Sequence, residues 1–414
     1  MRVGIDVRAM QFPGGTRGTG RYILNILEGL VAIDDDTEYV LLHLREKPIP
    51  PELTKFGKRV KFAPLEGPPT LVTRYPWYQS AEWMRQMRVL PLLHWKSYFR
   101  NHANRFRQEV RKQALDVVHF PAPFDPNLAP VSGCPCKTVY TFLDGIPLVL
   151  ASHFYDLWTI PLQRRYNMQK AAFQQASLVV AISECSRNDA MRLYGIAPER
   201  IQRVYCGMQT DLTPKVPQEI VEAIKGKFRI DRPYFAFCST IDWHKGIDSL
   251  IPAMAKFKET AAVPHQLVII GYQEEKCRFE LYQLAFDNGL HGGDVVLTGL
   301  VDEMELHAFY QGAVALVSPS RYEGFGLPAA QALAIGTPVI ASKRASLPEV
   351  VGDAGLLVDP EDVQEIANAM SRMANEPELR ARCIALGFEQ VRKFDSRERA
   401  QDIWKAYKKA LESE

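Results

Sequence analysis

The segment SRYEGFGLPAAQALAIG, residues 320–336, combines a carboxylate with glycines at the start of a helical pattern. Gly324 and Gly326 leave backbone N–H groups open to a phosphate, because a residue without a Cβ lets a ligand approach a helix start closely. Glu323 can accept hydrogen bonds from sugar hydroxyls, and we expect Gln331 about two turns along the helix on roughly the same face. The segment therefore indicates a site for a ligand that carries both phosphate and sugar.

Two further segments contain groups suited to the same ligand. In CSTIDWHKGIDSL, residues 238–250, Lys245 follows a strand pattern and precedes a helical one, where its charge can neutralise a diphosphate. The loop FPGGTRGTG after the first strand contains four glycines, Gly14, Gly15, Gly18 and Gly20. Their spacing differs from the dinucleotide-binding fingerprint. Each signal alone also fits a surface lysine or a flexible loop, so the prediction rests on their combination.

Short apolar strands alternate with helical patterns almost throughout the 414 residues, which is typical of parallel α/β sheets. The length suits two domains of roughly 200 residues each. We therefore expect the fold class α/β, with two doubly wound Rossmann-like domains that face each other across a cleft. The predicted domains are residues 1–210 and 228–394, with a linker near 209–230 and a C-terminal helix, 395–414, that packs back on the first domain.

The predicted strands are apolar runs bounded by Gly, Pro and Asp. In the first half they are VGIDV, EYVLLHL, VKFAPL, LDVVHFP, KTVYTFLD, SLVVAIS and IQRVYCG. In the second half they are YFAFCST, HQLVIIG, DVVLTG, AVALVSPS and TPVIAS. The stretch RASLPEVVGDAGLLVDPED is expected to be a loop that closes over the same cleft.

The composition, 47% apolar and 24% charged, is that of an ordinary soluble globular protein. No run reaches the roughly 18 apolar residues that cross a bilayer, and the charged start MRVGIDVRAM does not read as a signal peptide. Seven scattered cysteines favour reduced thiols, so we expect a cytoplasmic protein. Residues 1–214 carry 27 Lys and Arg against 19 Asp and Glu, whereas residues 215–414 carry 23 against 29. This asymmetry suggests two lobes with different partners.

Residues 71–113 form a basic stretch with nine Lys or Arg, two Glu and several aromatic residues: Trp77, Trp83, Trp95, Tyr98 and Phe99. Such a stretch can lie on an anionic membrane surface or bind an acidic partner, which would place the protein at the inner face of the membrane. The alternative is a pair of solvated helices whose aromatic side chains belong to the core. Nucleic acid is not an expected partner, because the rest of the chain offers no binding module.

Together these segments resemble the GT-B fold glycosyltransferases, and within them the retaining enzymes of family 4, also called glycosyl transferases group 1. The resemblance extends over nearly the whole chain and is most specific over residues 295–362. The segment at 178–208 is similar to the family's strand–helix–strand at the end of the first domain. The resemblance implies a nucleotide-diphosphate sugar bound mainly by the second domain and an acceptor bound mainly by the first. It also implies no metal and no cofactor, since a lysine and helix N-termini carry the charge of the leaving diphosphate.

The resemblance implies roles for particular residues. Lys245 matches the diphosphate-binding lysine, and Glu323 matches the first glutamate of the family's Glu-x7-Glu motif, which contacts the donor sugar. Asp144 matches the aspartate of a His-Asp pair and would take an acceptor or sugar hydroxyl. The nucleotide-sugar site would further include Gly15, Gly18, Thr240, His244, Tyr322, Gly324, Phe325, Gly326, Leu327 and Gln331.

Three positions depart from the family's pattern. Gln331 replaces the second glutamate; an amide keeps one acceptor but loses the charge, which would weaken nucleotide binding by less than about tenfold. Leu143 replaces the histidine that usually contacts the donor sugar. Thr240 or His244 stands where the family usually has an arginine beside the lysine. Two nearby histidines, His119 and His153, are better explained as structural residues than as replacements.

These observations leave two readings open. The first is a retaining glycosyltransferase, a hexosyltransferase that moves a mannose-like sugar from a GDP- or UDP-linked donor to a hydroxyl of a glycan or lipid-linked acceptor. Its pathway would be surface polysaccharide synthesis, such as that of lipopolysaccharide. The second is a catalytically degenerate GT-B protein that binds nucleotide or glycan, or serves as a partner subunit. Retention of Glu323, Gly326 and Lys245 favours the first reading.

Overall fold

The computed structural model describes most of the chain, namely residues 1–12, 18–34, 36–66, 103–123, 131–150, 160–208, 216–272 and 275–413. The chain divides into two compact units, Met1–Gly207 with Ser396–Glu414, and Met208–Asp395. Each unit is built around one parallel sheet with helical crossovers. The predicted fold class of two doubly wound α/β units is therefore confirmed.

The first unit contains a seven-stranded sheet in the order β3-β2-β1-β4-β5-β6-β7. The strands are β1 (Arg2–Asp6), β2 (Glu38–Leu44), β3 (Val60–Leu65), β4 (Val117–Phe120), β5 (Lys137–Phe142), β6 (Leu178–Ala181) and β7 (Ile201–Arg203). Among the described residues before 207, the α-helices are α1 (Gly18–Ile33), α2 (Pro51–Thr54), α3 (103–112), α4 (Ile146–Val149), α5 (Ile160–Gln175) and α6 (Glu184–Tyr194). The strands are almost continuously buried, as expected for a parallel sheet covered on both faces.

The second unit contains a six-stranded sheet in the order β10-β9-β8-β11-β12-β13. The strands are β8 (Tyr234–Cys238), β9 (Gln266–Ile270), β10 (Val295–Gly299), β11 (Ala315–Ser318), β12 (Val339–Ser342) and β13 (Gly355–Val358). The helices are α7 (Gln218–Lys227), α8 (Ile247–Thr260), α9 (Glu275–Asp287), α10 (Glu303–Gly312), α11 (Leu327–Ile335), α12 (Leu347–Val351), α13 (Val363–Asn375) and α14 (Pro377–Val391). Helices α8 and α13 pack against one another over a core that includes Phe235, Ile269 and Val317.

Local sequence signals explain several helix ends. Ser183 accepts a hydrogen bond from the backbone N–H of Ser186 at 2.9 Å at the start of α6, and Gly195 ends that helix in the left-handed region. At the start of α10, Asp302 and Glu305 form a reciprocal capping box. These ends depend on local contacts alone.

The structure differs from the sequence-based expectation in two segments of the second unit. The stretch RASLPEVVGDAGLLVDPED, expected to be a loop, contains α12 and strand β13, which pairs with β12. The four residues of β13 are bracketed by turn residues and look loop-like in isolation; the free edge of β12 makes them a strand. The expected linker near 209–230 contains α7, which packs against α10.

The last helix, α15 (Ser396–Glu412), belongs to the first unit and packs against α1. The two helices approach closely at Gly29, where an added Cβ would lie 2.6 Å from both the Cβ of Ala400 and the carbonyl oxygen of Ser396. Only a residue without a side chain fits this crossing. The final residues of the chain thus complete the core of the unit that the first residues begin.

Most of the basic stretch 71–113 lies outside the described residues, so the prediction of a membrane contact stays a prediction. Its end forms α3, in which Phe106 and Val110 are 2% and 1% exposed and belong to the core of the first unit. Across the described part of the chain, no helix is both long and apolar enough to cross a membrane.

Candidate functional site

Strands β8 and β11 are neighbours in the second sheet, and the strand order runs in opposite directions on either side of them. In an open parallel sheet, ligands bind outside the carboxyl ends of the strands at such a point. The turn after β8 carries Lys245, and the turn after β11 carries Glu323. The topology therefore brings the two charged residues to the same edge of the sheet.

Lys245 and Glu323 form a close ion pair at this edge. The Nζ atom of Lys245 lies 2.9 Å from each carboxylate oxygen of Glu323, and the hydroxyl of Ser320 donates to Oε1 at 2.8 Å. The two charged side chains are only 16% and 14% exposed, so water screens them less than it screens a surface pair. A phosphate that binds Lys245 must therefore either share the Lys245 ammonium group with Glu323 or displace the Glu323 carboxylate from it.

Two glycines shape the turns that carry this ion pair. Gly246 has a φ of 74°, and a Cβ added to it would overlap the carbonyl oxygen of Pro319, in the turn that leads to Glu323. Gly326 has a φ of 102°, and its Cβ would lie 2.7 Å from a methyl group of Leu347. Both positions require glycine because of conformation and because of space.

Helices α8 and α11 begin directly after these glycines. Neither start has a side-chain hydrogen bond that caps it, as far as the described residues show. The first N–H groups of an α-helix have no partners within the helix, and the helix dipole makes that end favourable for an anion. The two helix starts and Lys245 together suit the binding of a diphosphate.

Ser346, which no sequence motif singles out, contacts the backbone of the turn 323–326. The Ser346 hydroxyl lies 2.9 Å from the carbonyl oxygen of Glu323 and 2.8 Å from that of Phe325, so its proton is shared between them. The Phe325 ring is 3% exposed and meets Phe394 edge to face at 5.1 Å. The Phe325 side chain thus belongs to the core, which leaves only its backbone for a ligand.

Arg321 was also missed, although it lies within the segment that the sequence singled out. Its guanidinium contacts Asp248 at 2.7 Å and Glu361 at 2.9 Å. Burial alone would lower the pKa of this group, but the hydrogen bonds to the two carboxylates outweigh burial and raise it. No sequence signal identifies the contacts, because the partners are 73 and 40 residues away along the chain.

Two positions predicted near the diphosphate lie in the turn after β8. The Thr240 hydroxyl donates to the carboxylate of Asp242, two residues further along. The carbonyl oxygen of His244 accepts from the backbone N–H of Arg321 at 2.8 Å. His244 therefore helps to join the two turns, and the ligand contacts expected of both residues stay predictions.

Gln331 lies on α11 beyond the helix start at Leu327, and its side chain is half-buried. Glu323 lies in the turn before Gly326, ahead of this helix, and the expectation that Gln331 lies on roughly the same side as Glu323 stays a prediction. Among the described residues, no hydrogen bond of the Gln331 amide is found. Tyr322 is 4% exposed, whereas Leu327 is half-buried at the first position of α11.

Asp144 and Leu143 follow β5 in the first unit. The Oδ1 atom of Asp144 accepts a hydrogen bond from the backbone N–H of Ile146 at 3.1 Å, which helps to start α4. The carbonyl oxygen of Leu143 accepts from the Ser186 hydroxyl at 2.9 Å. This turn is therefore ordered by local contacts, and the proposed role of Asp144 toward a hydroxyl is not tested by them.

His119 has a structural role, as the sequence suggested. Its Nδ1 atom lies 2.8 Å from the hydroxyl of Tyr407 on α15, and its Nε2 atom lies 2.8 Å from the hydroxyl of Thr141. The side chain is fully buried, and burial lowers its pKa to about 3. The other histidine considered, His153, lies outside the described residues.

The glycine loop of the first unit is only partly described. Gly18 is exposed and is the first residue of α1. Gly15 falls outside the described residues, so its predicted contact with the phosphates stays a prediction.

Two family models match this chain. The model described as Glycosyltransferase Family 4 matches residues 16–212, and the model described as Glycosyl transferases group 1 matches residues 221–390. Together the two matches extend over most of both units. The chain belongs to glycosyltransferase family 4.

The relatives of this family 4 chain include several proteins named mannosyltransferases. The O-antigen chain mannosyltransferase B of Escherichia coli is 29% identical over 253 residues, which is 60% of this chain and 65% of that protein. The MMP alpha-(1->4)-mannosyltransferase of Mycolicibacterium hassiacum is 33% identical over 231 residues, 54% of this chain and 53% of that protein. Each alignment thus spans less than two thirds of the relative.

A solved structure supports the assignment of the fold over the full length of this family 4 chain. Sucrose-phosphate synthase from Thermosynechococcus elongatus has a TM-score of 0.73 and is 20% identical. The match covers 99% of this chain and 98% of that chain. At this identity the similarity shows the fold alone, and it confirms the GT-B class that the sequence resemblance implied.

Proposed function

We propose that this chain transfers a sugar from a nucleoside-diphosphate donor to a hydroxyl group of an acceptor, with retention of the anomeric configuration. The observation that carries the proposal is the ion pair of Lys245 and Glu323 between the starts of α8 and α11. A cation and two helix starts suit a diphosphate, and a carboxylate beside them suits the hydroxyls of the attached sugar. Membership of family 4 supports the same reading.

The proposed chemistry needs charge stabilisation more than it needs a protein base. Lys245 and the backbone N–H groups stabilise the negative charge that develops on the leaving diphosphate. When the diphosphate takes over the ammonium group, Glu323 becomes available to accept hydrogen bonds from sugar hydroxyls. The acceptor hydroxyl attacks from the face that the diphosphate leaves, so its proton can pass to a phosphate oxygen. Asp144 is proposed to accept a hydrogen bond from a sugar or acceptor hydroxyl.

The finer parts of the proposal concern the substrates. A mannose-like sugar on GDP or UDP is the proposed donor, supported by two relatives whose names specify mannosyl transfer. The proposed acceptor is a glycan or a lipid-linked glycan of a surface polysaccharide, supported by the relative named for the O-antigen chain. Lys245 and the helix starts supply positive charge for the diphosphate, so we propose no metal in the reaction.

The test begins with a panel of nucleoside diphosphates and their sugars, added to the wild-type protein and to variants. Ligand that binds only the folded state raises the unfolding temperature with the logarithm of its concentration over its dissociation constant. We expect one nucleotide to stabilise the wild type, and its sugar conjugate to support transfer to a glycan acceptor. Absence of any shift at millimolar ligand would favour the degenerate reading instead.

Variants of the ion pair separate the two proposed roles. Lys245→Ala should weaken nucleoside-diphosphate binding and lower transfer, each by at least about tenfold, because the charge facing the phosphates is lost. Glu323→Ala should lower transfer by at least about tenfold but keep or improve nucleoside-diphosphate affinity, because the carboxylate no longer competes for Lys245. Calorimetric titration and a transfer assay measure both quantities.

Lys256→Ala is the matched control, since Lys256 lies on the exposed face of α8 and contacts Gln364. It should leave both quantities unchanged. Wild-type transfer in both Lys245→Ala and Glu323→Ala would refute the proposed site.

A further inference from the structure

Arg321 connects three segments at the carboxyl edge of the second sheet. Its side chain is 6% exposed. The guanidinium reaches the first turn of α8 at Asp248, the loop after β13 at Glu361, and the carbonyl oxygen of Trp243 at 2.6 Å. The ring of Trp243 lies beneath it, with 4.4 Å from Cζ to the ring centroid. Arg321 therefore contacts the chain both before Lys245, at Trp243, and after it, at Asp248.

All five N–H groups of the guanidinium have acceptors. Nε donates to Glu361 at 2.9 Å, and Nη1 donates to Trp243 O and to Asp248 at 2.6 and 2.7 Å. Nη2 donates to the second oxygens of Asp248 and Glu361 at 2.9 and 3.2 Å. The two bidentate contacts fix the plane of the guanidinium, which a lysine ammonium with three donors on one atom cannot reproduce.

The backbone of Arg321 joins the same two turns. Its N–H donates to the carbonyl oxygen of His244, the residue before Lys245, at 2.8 Å. Arg321 also directly follows Ser320 in the chain, and the Ser320 hydroxyl donates a hydrogen bond to Glu323. Arg321 thus lies between the residues that bear the ion pair, although no hydrogen bond joins its guanidinium to the side chain of either.

We propose that Arg321 is a positioning residue that holds the Lys245 turn against the Glu323 turn, so that both groups meet one donor substrate. This inference rests on the proposed function for the reaction that it serves. The physical basis is distance: a charge that moves by about 1 Å at a reacting centre can cost two orders of magnitude in rate. The role goes beyond stability, because two of the contacts, to the carbonyl oxygens of Trp243 and His244, end on the residues directly before Lys245.

The first experiment needs no substrate. In Arg321→Lys, we expect the backbone amides of Lys245 and Gly246 to exchange their hydrogens with solvent at least about tenfold faster than in the wild type. The reason is that their turn loses the contacts from Arg321 to Trp243 O and Asp248. Peptide-level hydrogen exchange measures this. Arg232→Lys is the matched control, since Arg232 is also a partly buried arginine, paired with Asp294 at 2.8 Å and located before β8, at the amino end of that strand. It should leave exchange at residues 245 and 246 unchanged.

The second experiment measures transfer. Arg321→Lys should lower kcat by at least about tenfold, whereas Arg232→Lys should keep its kcat, when both are assayed well below their unfolding temperatures. In a Lys245→Ala background, Arg321→Lys should lower kcat less than about twofold further, because the residue it positions is already absent.

Three results would overturn the proposal. The first is unchanged hydrogen exchange at residues 245 and 246 in Arg321→Lys. The second is a kcat of Arg321→Lys within about twofold of wild type. The third is that Arg321→Lys lowers kcat in the Lys245→Ala background by the same factor as in the wild type. If the wild-type protein transfers no sugar from any donor, the proposed function fails. In that event the exchange experiment still decides whether Arg321 holds the turn.

Discussion

Some residues of the site supply charge, and others fix the conformation of the turns that carry the charged residues. Lys245 and Glu323 lie 2.9 Å apart as an ion pair, although each side chain is mostly buried. Ser320 and Ser346 orient the carboxylate and the backbone of its turn. Gln331, in contrast, presents an amide without a partner among the described residues and is therefore the position where a substitution tests ligand contact most directly.

At the scale of single residues, we predict that Gln331→Glu strengthens nucleotide binding by less than about tenfold and changes kcat little. A carboxylate adds charge and one acceptor oxygen for hydroxyl groups, and a charged hydrogen bond is worth about 1 kcal/mol more than a neutral one. Titration with the nucleotide found in the ligand panel measures the change. Gln364→Glu, on the exposed side of α13, is the control. If Gln331→Glu instead activates an inactive wild type, the degenerate reading is correct.

The elements position the site through two tight turns. Each turn follows a central strand, contains a glycine with positive φ, and leads into a helix without a side-chain cap within the described residues. The turns touch each other where Gly246 faces Pro319. The relative position of Lys245 and Glu323 therefore depends on the absence of one Cβ atom.

At the scale of elements, we predict that Gly246→Ala lowers both the unfolding temperature and transfer, the latter by at least about tenfold. The new Cβ overlaps Pro319 O, so one turn must move away from the other. Gly289→Ala is a matched control, because Gly289 has a φ of 76° but nothing within 4 Å of its Cβ. It should lose about 1–2 kcal/mol of stability from backbone strain alone and keep transfer. Equal behaviour of the two variants would contradict the role of the contact.

The helix at the end of the sequence packs on the unit formed by the first 207 residues. α15 returns to the first unit, and the hydroxyl of Tyr407 meets His119, 288 residues earlier in the sequence. Thr141 on β5 and Tyr22 on α1 extend this contact, with 3.1 Å between their hydroxyl groups. One buried polar chain thus joins two strands, the first helix and the last helix.

At the scale of the molecule, we predict that stability falls as pH drops below about 6.5, and that His119→Gln reduces this dependence. The pKa of His119 is near 3 in the folded state and 6.5 without burial, so only the unfolded chain takes up a proton between these values. Its contribution is complete above pH 6.5 and falls by up to about 2 kcal/mol at pH 5.

Urea unfolding at pH 7.5, 6 and 5 measures the effect. His119→Gln should be less stable than wild type at pH 7.5, since its hydrogen bonds are imperfectly replaced, but should lose less on acidification. His291→Gln, at an exposed position, should follow the wild type at each pH. Parallel pH dependence of wild type and His119→Gln would show that another group is responsible.

The sequence by itself determined the alternation of strands and helices, the starts of α8 and α11, and the choice of Lys245 and Glu323 as candidates. These follow from local rules: apolar runs bounded by turn residues, glycines before helical patterns, and charged residues at strand ends. The family resemblance, read from the same residues, correctly implied the GT-B class. Strand β13 and helix α7 escaped this reading, because β13 depends on an edge of β12 to pair with and α7 on α10 to pack against.

Only the tertiary structure decided which side chains meet. The contacts of Arg321 with Asp248 and Glu361, and that of Ser346 with the Glu323 turn, join residues between 23 and 73 positions apart. Their sequence neighbourhoods carry no mark of these contacts, since a buried ion pair needs complementary partners in space and no fixed spacing along the chain. The sequence did place Glu323 in a turn ahead of a helix that begins at Leu327, because the glycines at 324 and 326 mark that boundary locally.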